Sequence, residues 1–245
     1  MFQQEILNQI QVNIHSSVCI RGEKAIYIDP IKIPDAPHDA DLILITHPHF
    51  DHFSPRDIKK LLREDTVIAV PERIAPIVKL RTGREPLRLT PGQSQTICGV
   101  PVETVAAYNL NKPAHRKSMG WLGYVLTLGE TRAYITGDTD VTPESSAVNC
   151  DILMLPVSGG MYTMTAQQAA EMTNQIKPHT VIPIHYGALL GGRKAPEDFR
   201  AAVAAGIETD IRDTVYNNLM IWQILRVIPI ALICGCIGYL VGRLL

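Results

Sequence analysis

The run His47-Pro48-His49-Phe50-Asp51-His52 places three imidazoles and a carboxylate within six residues. Imidazole nitrogens with carboxylate oxygens suit borderline divalent ions such as zinc, whereas calcium and magnesium sites lean on oxygen ligands. His47 and His49 alternate along an extended segment, so both can face one ion while Asp51 and His52, just beyond, face a second. A lone histidine is usually a surface or structural residue, but this density points to metal. Two more positions extend the pattern: Asp138 in Gly137-Asp138-Thr139-Asp140, and His185 in Ile184-His185-Tyr186-Gly187. Each follows a β-branched run, at the C-terminal end of a predicted strand, where open α/β sheets gather their sites.

Such residues need strands to aim them. Short β-branched runs recur at residues 25–28, 42–45, 67–70, 102–106, 122–128, 133–136, 152–155 and 181–184, alternating with helical patterns. That alternation predicts a layered α/β fold. The apolar run 42–45 ends at Thr46 and His47, so the polar cluster emerges on the loop that follows a buried strand. Ser54 before Pro55 predicts a helix ending near Arg63. Thr165 with Gln168 forms a capping-box pattern for a second helix, stopping before Pro178. Gly137 allows a tight backbone approach beside Asp138.

The H-x-H-x-D-H cluster, G-D-T-D and V-I-P-I-H-Y-G resemble the metallo-β-lactamase-fold hydrolases. They look particularly like a subgroup of metal-dependent hydrolases that is similar to ascorbate-6-phosphate lactonase and the N-acylphosphatidylethanolamine phospholipases. Ile14-His15-Ser16-Ser17-Val18, Tyr27-Ile28-Asp29-Pro30 and Trp121-Leu122-Gly123-Tyr124 match as well, so the likeness spans about the first 215 residues, a single-domain length. It implies a four-layer αββα sandwich with two metal ions at one edge. It assigns His47 and His49 to the first ion, Asp51, His52 and His185 to the second, and Asp138 as the bridging carboxylate. One departure stands out: where the family places a further histidine after Val105-Ala106-Ala107-Tyr108, this chain has Asn109. The nearest histidine, His115, lies in the following loop. Either His115 swings in as the third ligand of the first ion, or that ion is held by fewer protein ligands plus water, with Asn109 at its margin.

The expected chemistry is hydrolysis of an ester, lactone or phosphodiester by a hydroxide shared between two divalent ions, zinc first and manganese or iron next. Asp51 and Asp138 are the candidate catalytic carboxylates, with Asp51 holding the attacking hydroxide or relaying its proton. His15, Asp29, Asn109 and Tyr186 are candidates for outer contacts or substrate. Two other readings fit the same residues: iron-dependent redox or sulfur oxygenation on this scaffold, and a membrane-tethered binding protein that has lost turnover, for which Asn109 is the argument.

The chain has 245 residues, with 23 lysines and arginines against 24 aspartates and glutamates. There is no basic excess to neutralise a nucleic-acid backbone, and a small-molecule or lipid-like substrate is expected instead. Five scattered cysteines do not form an evenly paired disulfide framework. The N-terminus lacks the basic and apolar regions of a secretory signal. Composition changes after Asn217-Asn218, dividing a hydrolase domain (1–218) from an apolar tail (219–245). Residues 227–242 carry no charge, and Arg226 and Arg243 flank them. A single-pass anchor is expected there, with the catalytic domain on the cytoplasmic face of the membrane. Gly238-Tyr239-Leu240-Val241-Gly242 has the spacing that lets two such helices pair as a homodimer.

Overall fold

The computed structural model describes residues 2–187 and 194–212. Six strands form one sheet in chain order: β1 (Ile10–Ile14), β2 (Ser17–Arg21), β3 (Ala25–Ile28), β4 (Leu42–Leu44), β5 (Val67–Pro71) and β6 (Leu87–Leu89). A second sheet holds β7 (Ser94–Ile97), β8 (Val100–Ala106), β9 (Leu122–Leu128), β10 (Thr131–Ile135), β11 (Ile152–Pro156), β12 (Thr180–Ile184) and β13 (Glu208–Thr209). Its order runs from β13 back to β7. The helices are α1 (Phe2–Gln9), α2 (Pro55–Leu61), α3 (Ala75–Thr82), α4 (Pro143–Ser146), α5 (Ala166–Ile176) and α6 (Ala195–Ala202). The strands expected from sequence are β3, β4, β5, β8, β9, β10, β11 and β12.

Alternation along the strands builds the layers. Leu42 and Leu44 of β4 join the core shared by both sheets, with Val102, Leu126, Ile135, Met154 and Ile182 from the other side. Ile43 and Ile45 point the opposite way, into the cluster under α2 and α3. Leu153, Leu155 and Val181 do the same on the second sheet, meeting Ala169, Met172 and Phe199 of α5 and α6. The result is a mixed α/β fold of two face-packed sheets with helices on their outer faces.

Both anticipated helix starts are present. The Ser54 hydroxyl accepts the Asp57 N–H (3.3 Å), and Thr165 and Gln168 cap each other's backbone reciprocally. The first helix closes at Leu61 rather than near Arg63, because Leu62 turns extended (ψ 131°) and the Arg63 N–H is taken by the Thr66 hydroxyl (2.8 Å). The expected anchor and its pairing motif lie outside the described residues. Among the described residues, no helix is long and apolar enough to cross a membrane.

Strand direction gathers the chemistry. Strands β3 to β6 run parallel, as do β10 to β13. Asp29, the His47 cluster, Asp138 and His185 therefore leave the C-terminal ends of β3, β4, β10 and β12 on one edge. The sheets are tied there by the Leu122 N–H on the Thr46 carbonyl (3.1 Å) and the Tyr124 hydroxyl on the Ile45 carbonyl (2.7 Å).

Candidate metal centre

Asp138 sits at the middle of the edge with its two oxygens facing different histidines. Oδ1 lies 3.4 Å from Nε2 of His52 and 3.4 Å from Nε2 of His185. Oδ2 lies 3.8 Å from Nε2 of His47 and 3.9 Å from Nε2 of His115. Gly137 makes this placement feasible: at φ 63° it is left-handed, and a β-carbon there would lie 2.9 Å from the Leu122 carbonyl oxygen. On the first side His115 Nε2 is 3.1 Å from His49 Nδ1, completing a trio with His47. On the second, Asp51 Oδ2 lies 3.6 Å from His185 Nε2, 3.9 Å from His52 Nε2 and 3.2 Å from His15 Nε2.

Hydrogen bonds behind the rings decide which nitrogen is free. Asp29 can only accept, so His52 donates its Nδ1–H to Asp29 Oδ2 (2.7 Å). The Thr46 hydroxyl donates to the same oxygen (2.6 Å), which leaves its lone pair for the Nδ1–H of His47 (2.9 Å). His185 Nδ1 meets the Ser158 hydroxyl (2.8 Å), which passes its proton to Thr163 (2.9 Å), and Thr163 donates to the Gly159 carbonyl. Nε2 of His47, His52 and His185, together with Asp138 Oδ1, are thus aimed inward, buried and without a hydrogen-bond partner. Buried polar atoms are rarely left so. Nitrogens about 2.1 Å from a tetrahedral zinc ion are about 3.4 Å apart, close to the 3.1–3.9 Å spacings found here. The donor set fits divalent metal, and Asp138 faces both clusters of donors.

Of His115 and Asn109, it is His115 that faces the other donors. Its backbone is left-handed (φ 59°), which turns the ring inward. Asn109 instead clasps the loop. Its N–H donates to the His115 carbonyl (2.7 Å), and its amide donates to the carbonyls of Ala114 (3.2 Å) and Tyr162 (2.9 Å). His115→Ala is therefore expected to empty one of two metal positions. Asn109→Ala should keep both and weaken the first by a smaller factor, up to about tenfold; metal content after dialysis, read for both variants, checks this.

The other candidates are also placed. His15 stacks on His185 (centroids 3.7 Å apart), accepts the His185 N–H at its carbonyl (3.0 Å), and bonds Asp51. Tyr186 donates its hydroxyl to the Arg212 carbonyl (3.4 Å), so it secures the chain behind the site. Thr46 is an addition that donor chemistry alone does not flag; the Trp121 ring, from the stretch that resembles the family, packs against His47, His49 and His115.

Charge follows burial. Burial lowers His15 and His115 to about 4, so both rings are neutral, and His15 donates its Nε2–H to the Asp51 carboxylate. Burial would lower His185 too, but the Asp138 and Asp51 carboxylates outweigh it and push the ring up to about 10; His52 is raised in the same way. These protons must leave when a cation binds. Affinity for metal should therefore rise with pH, by about tenfold per unit for each proton displaced. A chelator competition at about pH 6 and about pH 8 reads the slope, and a flat profile would contradict it.

A family model described as the beta-lactamase superfamily domain matches residues 9–185. The chain belongs to that superfamily. Relatives of this superfamily domain include a UPF0173 metal-dependent hydrolase of Thermoplasma acidophilum, 30% identical over 200 residues (76% of this chain, 87% of that one). One of Thermococcus kodakarensis is 29% identical over 211 residues (80% and 92%). A crystal structure from Parabacteroides distasonis, described as a metal-dependent hydrolase, superposes with a TM-score of 0.69 at 32% identity, covering 84% of this chain and 92% of that one. CmlA, a diiron β-hydroxylase from Streptomyces venezuelae, shares the fold at 12% identity, with a TM-score of 0.70 over 84% of this chain and 52% of its own. The protein is a metal-dependent hydrolase of the metallo-β-lactamase superfamily.

Proposed function

We propose that the chain hydrolyses an ester, lactone or phosphodiester with two divalent ions, zinc foremost. The observation that carries this reading is Asp138: one oxygen faces the unpartnered Nε2 of His52 and His185, the other the unpartnered Nε2 of His47 and the Nε2 of His115. His47, His49 and His115 would hold the first ion, and Asp51, His52 and His185 the second. Such ions supply Lewis acidity and make water a nucleophile at neutral pH. The chain's own part is orientation: Asp29, Thr46 and Ser158 keep Nε2 of three histidines turned inward. His15 fixes Asp51, whose carboxylate holds the attacking water and takes its proton. Trp121 and Tyr162 wall the first cluster and limit bulk water there. With His115 at the donors, Asn109 is no argument for lost turnover.

Iron is the second reading, favoured by the fold shared with a diiron enzyme and by a donor set that iron accepts. Elemental analysis of protein purified without chelator, followed by a lactone and phosphodiester panel on metal-loaded protein, separates the two. About two equivalents of zinc with turnover are expected. Iron with oxygen-dependent chemistry, or no metal at all, would overturn the zinc reading.

For the tail we propose a membrane anchor holding the domain at the cytoplasmic face. The uncharged span 227–242 with its flanking arginines supports it.

A further inference from the structure

Among the large apolar side chains exposed in the described residues, Tyr162 has its ring 6.3 and 6.0 Å from those of His49 and His115, Met161 precedes it in the chain, and the Leu110 N–H donates to Asp140. Phe50 is 78% exposed although it stands between His49 and Asp51, and Met161 (57%) and Leu110 (54%) are similarly bare. Exposed apolar side chains gathered near a site mark a surface that meets something apolar. Its unpaired charges are mainly cationic. Lys32 and Arg56 line the depression beside Phe50, and Arg116 follows His115; none of the three has an ion pair among the described residues. The acids Asp57, Asp140 and Glu144 are already paired with Lys60, Lys112 and Lys117. Asp35 is the exception.

The course of the chain adds an independent observation. The described residues end at Arg212, whose carbonyl is held by Tyr186, the neighbour of metal-facing His185. Arg212 thus lies near the metal-bearing edge, and in the sequence the uncharged run begins 15 residues on, at Val227. A tail anchored in a bilayer would keep this edge within about 50 Å of it.

We infer that the metal-bearing edge docks on an anionic lipid surface, with Phe50, Leu110, Met161 and Tyr162 in the interface and Lys32, Arg56 and Arg116 against lipid phosphates. An exposed aromatic group within a cationic surround is the chemistry of interfacial binding. The metal centre then opens onto the membrane, and its substrate is drawn from the lipid phase. This rests on the tail being an anchor, and the test separates the two.

Full-length chain carrying Phe50→Trp or Leu80→Trp is mixed with vesicles of equal phosphatidylcholine and phosphatidylglycerol containing brominated acyl chains. Both positions are 78% exposed, so neither change threatens the fold, and Leu80 near the end of α3 serves as the remote control. Signal from the unsubstituted chain is subtracted. Vesicle flotation reads the anchor, and quenching reads the docked face. The expected result is protein that floats, with position 50 quenched about twofold and position 80 unchanged. Floating protein with position 50 unquenched, or both positions quenched alike, overturns the docked edge while leaving the anchor standing. Protein that does not float overturns both.

Discussion

Replacing Asp138 with alanine is expected to strip the protein of both ions and to lower turnover on the order of 10³-fold, about 4 kcal/mol of transition-state stabilisation. The size follows from its position. Each oxygen faces a different cluster of donors, so one substitution damages two clusters, whereas loss of His115 touches one. His15→Ala, which removes a hydrogen bond to Asp51 without removing a central donor, should cost about 10–100-fold. Metal content and kcat/KM measured on all three variants check the ranking. Equal losses for Asp138→Ala and His15→Ala would remove Asp138 from the bridging position. Thermal unfolding in chelator separates damage to the site from damage to the fold.

Asp29→Ala should weaken both ions at once, by about 10–100-fold in affinity, though Asp29 itself stands behind the rings. It accepts from the Thr46 N–H (2.8 Å), the Thr46 hydroxyl and His52, and through Thr46 it governs His47. One carboxylate therefore sets the tautomer of a histidine on each side of Asp138. Breaking this buried group is expected to cost about 3–5 kcal/mol of stability as well. Asp29→Asn is the sharper probe. It keeps the volume, but if its NH2 faces His52 the ring must carry its proton on Nε2, where the lone pair is needed. Chelator competition should then find the His52 side weakened more than the His49 side. Unchanged affinity in both variants would reduce Asp29 to a packing residue.

The cluster from His47 to His52 was legible because it is local: a buried β-branched run followed by ligands at fixed spacing dictates both strand and loop. Asp138 and His185 were legible because each closes a strand. The choice between His115 and Asn109 was not, since it depends on a left-handed backbone at His115 and on an amide that reaches across to the Tyr162 carbonyl, a contact between loops distant in sequence. Strands β6, β7 and β13 escaped for a different reason. Leu87–Leu89 is three residues after a proline, Ser94–Ile97 is mostly polar and exposed, and Glu208–Thr209 is held by its neighbour β12 alone. Their state is fixed by pairing rather than by their own pattern. In β1, Gln11 and Asn13 interrupt the apolar residues, and Asn13 is buried because its amide donates to the Ile31 carbonyl.

His15, Asp29, His115 and His185 all have positive φ, between 46° and 59°. For a residue with a β-carbon this region costs on the order of 1–2 kcal/mol relative to the right-handed one. Glycine would relieve the strain at every one of these positions and would delete the group that the metal centre uses. The fold thus holds four working side chains against local backbone preference, supported by the surrounding sheets. Selection for stability alone would erode these positions first, and variants recovered from a search for a hardier protein should be examined there for silent loss of activity.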